Sequence, residues 1–151
     1  MERARPATGA DLAACGRLLG EALACAASMR GGPALVGKRT PDDLIARWSA
    51  GGERAGLFVG EYEGAVVGVV GVVAQPADGA RRGRIECCYV EAPARAVGVG
   101  AALMEAAVSW CSAAGCEEVD ALALPGDRLT KQRLEAAGFT ARLLTLSRRL
   151  G

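Results

Sequence analysis

The sequence predicts an α/β domain of the α+β kind: a mixed, mostly antiparallel central sheet flanked by helices, with one parallel crossover. Three features carry that expectation. Apolar residues recur at helical spacing as far as Trp48, then give way to short Val- and Gly-rich runs from Leu57 onward. Tight-turn pairs, Glu63-Gly64 and Asp78-Gly79, separate those runs and make them antiparallel neighbours. A glycine-rich turn and an amphipathic helix then lead to a further strand, and that connection makes the two strands parallel by a right-handed crossover. The expected order is β-α-α-β-β-β-α-β-α-β.

Taken from the start, Thr8-Gly9-Ala10-Asp11 has the form of a capping box, with Asp11 in place of the usual Glu. Leu12, Cys15, Leu19, Ala22, Leu23 and Ala26 follow at helical spacing and predict a helix to about Ser28. Met29 to Arg39 is a Gly/Pro loop carrying Arg30, Lys38 and Arg39, either a solvated connector or a lid near a substrate. Thr40-Pro41-Asp42-Asp43 starts a second helix with an N-cap, a first-position proline and an acidic first turn. Leu44, Ile45 and Trp48 are its apolar face, and Gly51-Gly52 ends it.

Strands are expected at Leu57 to Tyr62, at Ala65 to Ala74 and at Ile85 to Val90, with Arg81, Arg82 and Arg84 in a solvated hairpin tip. Val99, Ala102, Leu103, Ala106, Ala107, Trp110 and Cys111 share one helical face, and Gly115 stands at the C-cap. Glu118 to Leu124 is the crossover strand. A short helix from Asp127 to Ala137 ends at Gly138, and Phe139 to Leu150 alternates as a closing strand or pair of strands.

Composition narrows the function classes. A chain of 151 residues, half of them apolar, is expected to form one domain spanning 1–151. A net charge of +1 gives no bulk attraction to polyanions, so no nucleic-acid partner is expected. No run of 18 apolar residues is present and none follows the basic Met1 to Pro6 segment, so neither membrane span, membrane partner nor signal peptide is expected. The six cysteines form no C-x-x-C pair and read as reduced, buried thiols of a cytoplasmic protein. Histidine is absent, which excludes Ser–His and Cys–His nucleophilic mechanisms and removes the commonest metal ligand, so no metal is expected.

The chemistry concentrates in Cys87 to Leu103. A strand leaves the core, a loop follows, and Gly98 and Gly100 open a helix. Glycines there let an anion approach the backbone, and unsatisfied N–H groups at a helix N-terminus attract phosphate. A turn with no ligand is the plain alternative.

Strand, then Arg95-x-x-Gly98-x-Gly100 opening a helix, resembles the acetyl-CoA signature of the GNAT acetyltransferase superfamily. Pro93 sits one residue later than in that pattern. Downstream, Asp127, Thr130, Leu134 and Gly138-Phe139 fall at the spacing of a second family pattern of Asn, Ala, Tyr and Gly-Phe, and Arg5-Pro6-Ala7-Thr8 with Asp11 is similar to the family's opening. The resemblance implies an acetyltransferase moving acetyl from acetyl-CoA to a primary amine, in a ternary complex. It implies that Arg95, Ala96, Val97, Gly98, Val99, Gly100 and Ala101 cradle the cofactor's pyrophosphate, with Asp127 nearby. The strand through Cys88, Tyr89 and Val90 would splay from its parallel neighbour and pair with the pantetheine arm, and the amide of Tyr89 or Val90 would polarise the thioester carbonyl.

Without histidine the base is a carboxylate or water, and Glu86 is the candidate, with burial expected to raise its pKa. Pairing with an arginine is the alternative reading of Glu86, and Glu91 is expected on the opposite face. Leu134 stands where relatives place a thiolate-protonating Tyr, and Asp127 replaces Asn, where it also suits a helix N-cap. Two rival functions stay open: a nicotinamide dinucleotide domain, against which the missing third glycine and the antiparallel strands speak, and a non-catalytic coenzyme A sensor or interaction domain. An exposed closing strand also suits a homodimer. The acceptor itself, small molecule or protein amine, is not written in the sequence.

Overall fold

A computed structural model describes residues 1–151. One sheet organises them, in the spatial order β1-β2-β3-β4-β5. Strands β1 (Glu2–Pro6), β2 (Ala55–Tyr62), β3 (Ala65–Ala77) and β4 (Ala80–Val90) pair antiparallel in succession. Strand β5 (Cys116–Ala121) pairs with β4 in parallel, after the crossover through helix α4 (Val99–Ala113). Helices α1 (Leu12–Ala27), the short α2 (Gly32–Val36) and α3 (Pro41–Ser49) precede the hairpins, and α5 (Arg128–Ala136) follows β5.

The pleat sorts apolar side chains into two cores. Val59, Val69 and Val73 meet Cys15, Leu18 and Leu19 of α1 and Leu44 and Trp48 of α3. Val70, Val72, Ile85 and Val90 meet Leu103, Met104, Ala107 and Cys111 of α4, together with Leu134 of α5. Adjacent Val69 and Val70 enter different cores because successive strand residues point to opposite faces. β3 is therefore buried on both sides, which explains its unbroken Val/Gly run. Each fully buried Val or Leu contributes about 1.5–3 kcal/mol.

The expected α1 and α3 boundaries agree with the structure. Thr40 caps α3 by accepting from the N–H of Asp43 at 3.1 Å. Asp11 accepts from the N–H of Thr8 at 2.7 Å, closing a 3-10 turn that leads into α1. Arg5 of β1 pairs with both Asp11 and Glu61, so β1, the start of α1 and β2 are tied by one ionic cluster.

Five expectations need correction. Arg81, Arg82 and Arg84 are not a hairpin tip, because β4 begins at Ala80 and only Asp78-Gly79 makes the turn. Arg82 instead clasps β5 through Glu118 at 2.6 Å and Asp120 at 3.4 Å, the kind of cross-strand charge pairing that stabilises a ladder. β5 runs from Cys116 to Ala121, so Leu122 to Leu124 lie beyond it. The loop after α1 contains the one-turn helix α2. The cysteines are not uniformly buried: Cys15 and Cys111 are, while Cys25 is exposed. Finally, residues 139–151 form no strand. Leu143, Leu144, Leu146 and Leu150 are 82–92% exposed. Their alternation supplies one face of a strand, but no ladder partner is paired to it, and a lone strand has no stability of its own.

Candidate active site

The site is built where β4 leaves β5. The parallel ladder covers Arg81 to Ile85 of β4, and the remainder of that strand, Glu86 to Val90, diverges from its neighbour. A β-bulge begins the divergence. In the β3–β4 register Gly71 faces Cys87 and Val72 faces Ile85, so Glu86 has no partner. A bulge bends its strand and re-aims the side chains around it, a common device beside functional sites.

Beyond the bulge, the two edges of β4 are unlike. Glu91 N–H donates to Val67 O of β3 at 2.9 Å, so by alternation the Tyr89 N–H also turns toward β3. The main-chain groups of Cys88 and Val90 consequently face the diverging side. Two arginines meet them there. Arg95 Nε donates to Val90 O at 2.9 Å, and Arg133 Nη1 approaches Cys88 O at 3.5 Å. Arg95 also lies over the Tyr89 ring, 5.5 Å from its centroid, so its side chain braces the loop against the strand.

The loop then turns through two left-handed residues, Ala96 (φ 79°) and Gly98 (φ 90°). Only the second is cheap: an L-residue with a β-carbon pays about 1–2 kcal/mol in that region. Strain held at such a place is a mark of a shaped loop, and alternating hands of this kind turn successive N–H groups inward as an anion nest. Gly98 is the N-cap of α4 and no side chain caps that helix, in contrast to Thr40 on α3 and Asp127 on α5. The first turn of α4 at Gly100 and Ala101 therefore borders a cleft of about 600 Å³ between α4 and α5, lined by Gly98, Gly100, Ala101, Met104, Arg133 and Ala137 among others. The cleft is large enough for a cofactor-sized ligand. Strained loop, uncapped helix and arginine-lined cleft together fit a diphosphate. Asp127 does not line that cleft: its carboxylate accepts from Thr130 N–H at 3.1 Å and from the Thr130 hydroxyl at 2.6 Å, capping α5.

On the other face of β4, Glu86 meets α3. Arg47 donates to both carboxylate oxygens, at 2.6 and 2.9 Å, and Trp48 Nε1 donates to Oε1 at 2.8 Å. Burial pushes the carboxyl upward. The Arg47 and Trp48 hydrogen bonds, with the Arg47 and Arg39 charges, outweigh it and hold Glu86 below the usual carboxylate range. The expected upward shift is thus reversed, because the group is buried against a guanidinium rather than against apolar surface. Glu91 also differs from expectation. It pairs with Arg17 of α1 at 2.8 Å, on the same side as Glu86, since the bulge cancels the strict alternation between them. Tyr89 reaches α1 as well, its hydroxyl donating to Glu21 Oε1 at 3.2 Å. Burial pushes the neighbouring Cys87 thiol up to about 12 and raises Cys88 too, so neither is a thiolate nucleophile near neutral pH.

Of the residues singled out in the sequence, Glu86, Cys88, Tyr89 and Val90 and the 95–101 loop converge on the one divergence, and Asp127 stands at its far side as a cap. Arg47, Trp48 and Glu21 were not anticipated. Trp48 carried a signal only as part of an apolar helix face, and nothing local ties residue 47 to residue 86.

Comparison with known proteins gives consistent findings. The sequence pattern described as "Acetyltransferase (GNAT) family" matches residues 26–139. No curated protein sequence matches the chain. Among solved structures, a ribosomal-protein-alanine N-acetyltransferase from Brucella melitensis biovar Abortus 2308 is similar with a TM-score of 0.73 at 18% identity, covering 99% of this chain and 100% of the other. Glucosamine-6-phosphate N-acetyltransferase from Arabidopsis thaliana gives 0.69 at 18%, covering 100% and 99%. AAC(6')-Iy, solved with the bisubstrate analogue CoA-S-monomethyl-acetylneamine, gives 0.70 at 18%, covering 99% of each chain.

Proposed function

The chain belongs to the GNAT acetyltransferase family, whose members use acetyl-CoA, and from that premise we propose that residues 1–151 act as one domain transferring acetyl from acetyl-CoA to the primary amine of a small molecule. The observation that carries the reading is the divergence of β4 from β5 beside an uncapped, glycine-opened helix. Such a divergence turns the Cys88 and Val90 main-chain groups, whose carbonyls Arg133 and Arg95 now contact, toward the side where an amide-bearing arm would add as a strand, while the α4 N–H groups face the diphosphate. Val90 or Cys88 then supplies the amide that polarises the thioester carbonyl, since the Tyr89 amide is turned to β3.

In the transfer a C–N bond forms, the C–S bond breaks, the amine gives up a proton and the thiolate takes one. Glu86 is the proposed acceptor-side carboxylate. Held ionised by Arg47 and Trp48, it accepts the proton that the neutral amine sheds as the C–N bond forms, directly or through water, and passes it to solvent, from which the departing thiolate takes its own. Glu21, hydrogen-bonded to Tyr89, adds a second anionic group on that side. Arg30, Lys38 and Arg39 in the loop between α1 and α3 suit an anionic portion of the same molecule. The structural neighbours named above act, by their own descriptions, on a sugar phosphate amine and on a protein alanine, so the fold leaves both classes of acceptor open. The charged lining favours the small one here. The exposed leucines after Phe139 support association with a second copy, which sedimentation at micromolar concentration tests.

Release of free thiol from acetyl-CoA across an amine panel tests the function. Amine-dependent release supports it. A second reading, a coenzyme A-binding domain without catalysis, is favoured by one observation: Leu134, packed in the α4 core, offers no proton to a leaving thiolate. Tight acetyl-CoA binding with no release on any amine would select that reading.

A further inference from the structure

Arg133 holds an unusual position. Its guanidinium lies directly on the first turn of α4: a β-carbon at Gly100 would clash with its Nε and stand 2.8 Å from its Cζ. From there Nη1 reaches over to Cys88, 3.5 Å from the carbonyl oxygen and 3.9 Å from Sγ. The same side chain lines two cavities. One is the 600 Å³ cleft at the α4 N-terminus. The other is a slot of about 30 Å³ between β4, β5 and α5, bordered by Glu86, Cys88, Ala121 and Leu134. That smaller space holds roughly one water molecule, and no extended organic arm. Arg133 therefore sits at the boundary between a roomy anion-binding cleft and a closed slot.

Its charge is uncompensated. No carboxylate forms an ion pair with Arg133. Glu105 lines the cleft one turn further along α4, and the Glu2 carboxylate lies near Gly98, but neither bonds to the guanidinium. The long contact to Cys88 O is a weak one for so strong a donor. A free, planar five-donor fork beside helix N–H groups is matched to a phosphate oxygen pair.

We propose that Arg133 is a ligand of the cofactor's diphosphate and, before the cofactor arrives, the plug of the slot that its pantetheine arm enters. This rests on the acetyl-CoA reading given above. Entry of the arm breaks the contact to Cys88 and frees that carbonyl for the arm's amide. The guanidinium, already seated over Gly100, withdraws its Nη1 from Cys88 and pairs with the diphosphate. One residue thus couples opening of the strand edge to neutralisation of the anion, and glycine at position 100 is what leaves room for it.

The test is calorimetric titration of the protein and its Arg133→Gln and Arg133→Lys variants with coenzyme A, and with pantetheine, which has the arm but no diphosphate. Arg133→Gln is expected to weaken coenzyme A by about 10- to 100-fold, the worth of a charge-assisted bidentate contact, and to lower its salt dependence. Pantetheine is expected to bind Arg133→Gln as well as or better than the parent, because the plug is gone. Arg133→Lys should fall between parent and Gln for coenzyme A. Equal weakening of both ligands in Arg133→Gln would show a merely structural side chain and overturn the proposal, as would unchanged coenzyme A affinity. A parent protein that binds no coenzyme A overturns the acetyl-CoA reading and this proposal together, and that arm of the experiment needs no variant.

Discussion

The indole N–H of Trp48 donates to Glu86 Oε1 at 2.8 Å, and the ring reaches that position only because residue 71 is glycine. A β-carbon at 71 would run into the Trp48 ring. Gly71 is also the β3 residue at the register shift that leaves Glu86 unpaired. Packing of α3 on the sheet and placement of the candidate carboxylate are therefore one arrangement.

Gly71→Ala should accordingly disturb both. Overpacking at that contact is expected to cost about 1–3 kcal/mol. Urea unfolding followed by tryptophan fluorescence measures it, and an unchanged midpoint would contradict the packing account.

The Arg47–Glu86 pair sets a pH dependence. In the parent, Glu86 sits below its ordinary value of 4.5, so it is ionised throughout the neutral range. With Arg47→Met the burial effect is left less opposed and the pKa should rise. The acid limb of amine-dependent thiol release is expected to move to higher pH in that variant. Glu86→Gln should lower the rate at least about tenfold at every pH. Identical profiles for parent and Arg47→Met would remove Glu86 from the proton inventory.

Acid stability follows from the cluster on the opposite edge of the sheet. Arg5 and the Thr8 N–H hold Asp11 well below the usual carboxylate range, and Arg5 and Arg3 lower Glu61. Their folded values lie beneath the ordinary 3.8 and 4.5, so their stabilisation is complete above those values and lost as pH falls. Tm should be flat near neutrality and decline between about pH 5 and pH 2. Asp11→Asn is expected to lower the neutral Tm and to flatten that decline. A variant that declines as steeply as the parent would move the acid sensitivity elsewhere.

Leu134→Tyr examines the missing proton donor. Leu134 is packed with Ile85 and Met104 and is only 8% exposed, so a larger ring should cost about 1–3 kcal/mol of stability. If thiolate departure limits the parent, the phenol should raise kcat for acetyl transfer despite the lost stability. Reduced Tm with unchanged kcat would place the limiting step elsewhere.

Much of this was legible in the chain because the signals were local. The Thr40-Pro41-Asp42-Asp43 start, the Gly98 and Gly100 opening of α4 and the Gly138 ending of α5 are each decided by a few adjacent residues. The change from period 3.6 to period 2, with the tight turns, located the three consecutive antiparallel strands. The bulge at Glu86 was not legible. It depends on register against β3 and on a tryptophan from α3, and it altered two expectations at once, the Glu86 pKa and the side on which Glu91 lies. The place of Arg133 on Gly100 depends on how α5 lies across α4, which no local pattern records. The alternating tail from Phe139 misled for the converse reason: pattern supplies a strand's face, and only a neighbour supplies its ladder.

The claim on which the account turns is that the α4 N-terminus and the 95–101 loop bind acetyl-CoA. Equilibrium titration of the parent and Gly100→Val with acetyl-CoA tests it most directly. Saturable binding by the parent is expected, and its loss in a Gly100→Val protein that stays folded by circular dichroism. Absence of binding in the parent, or equal affinity in both, would contradict it.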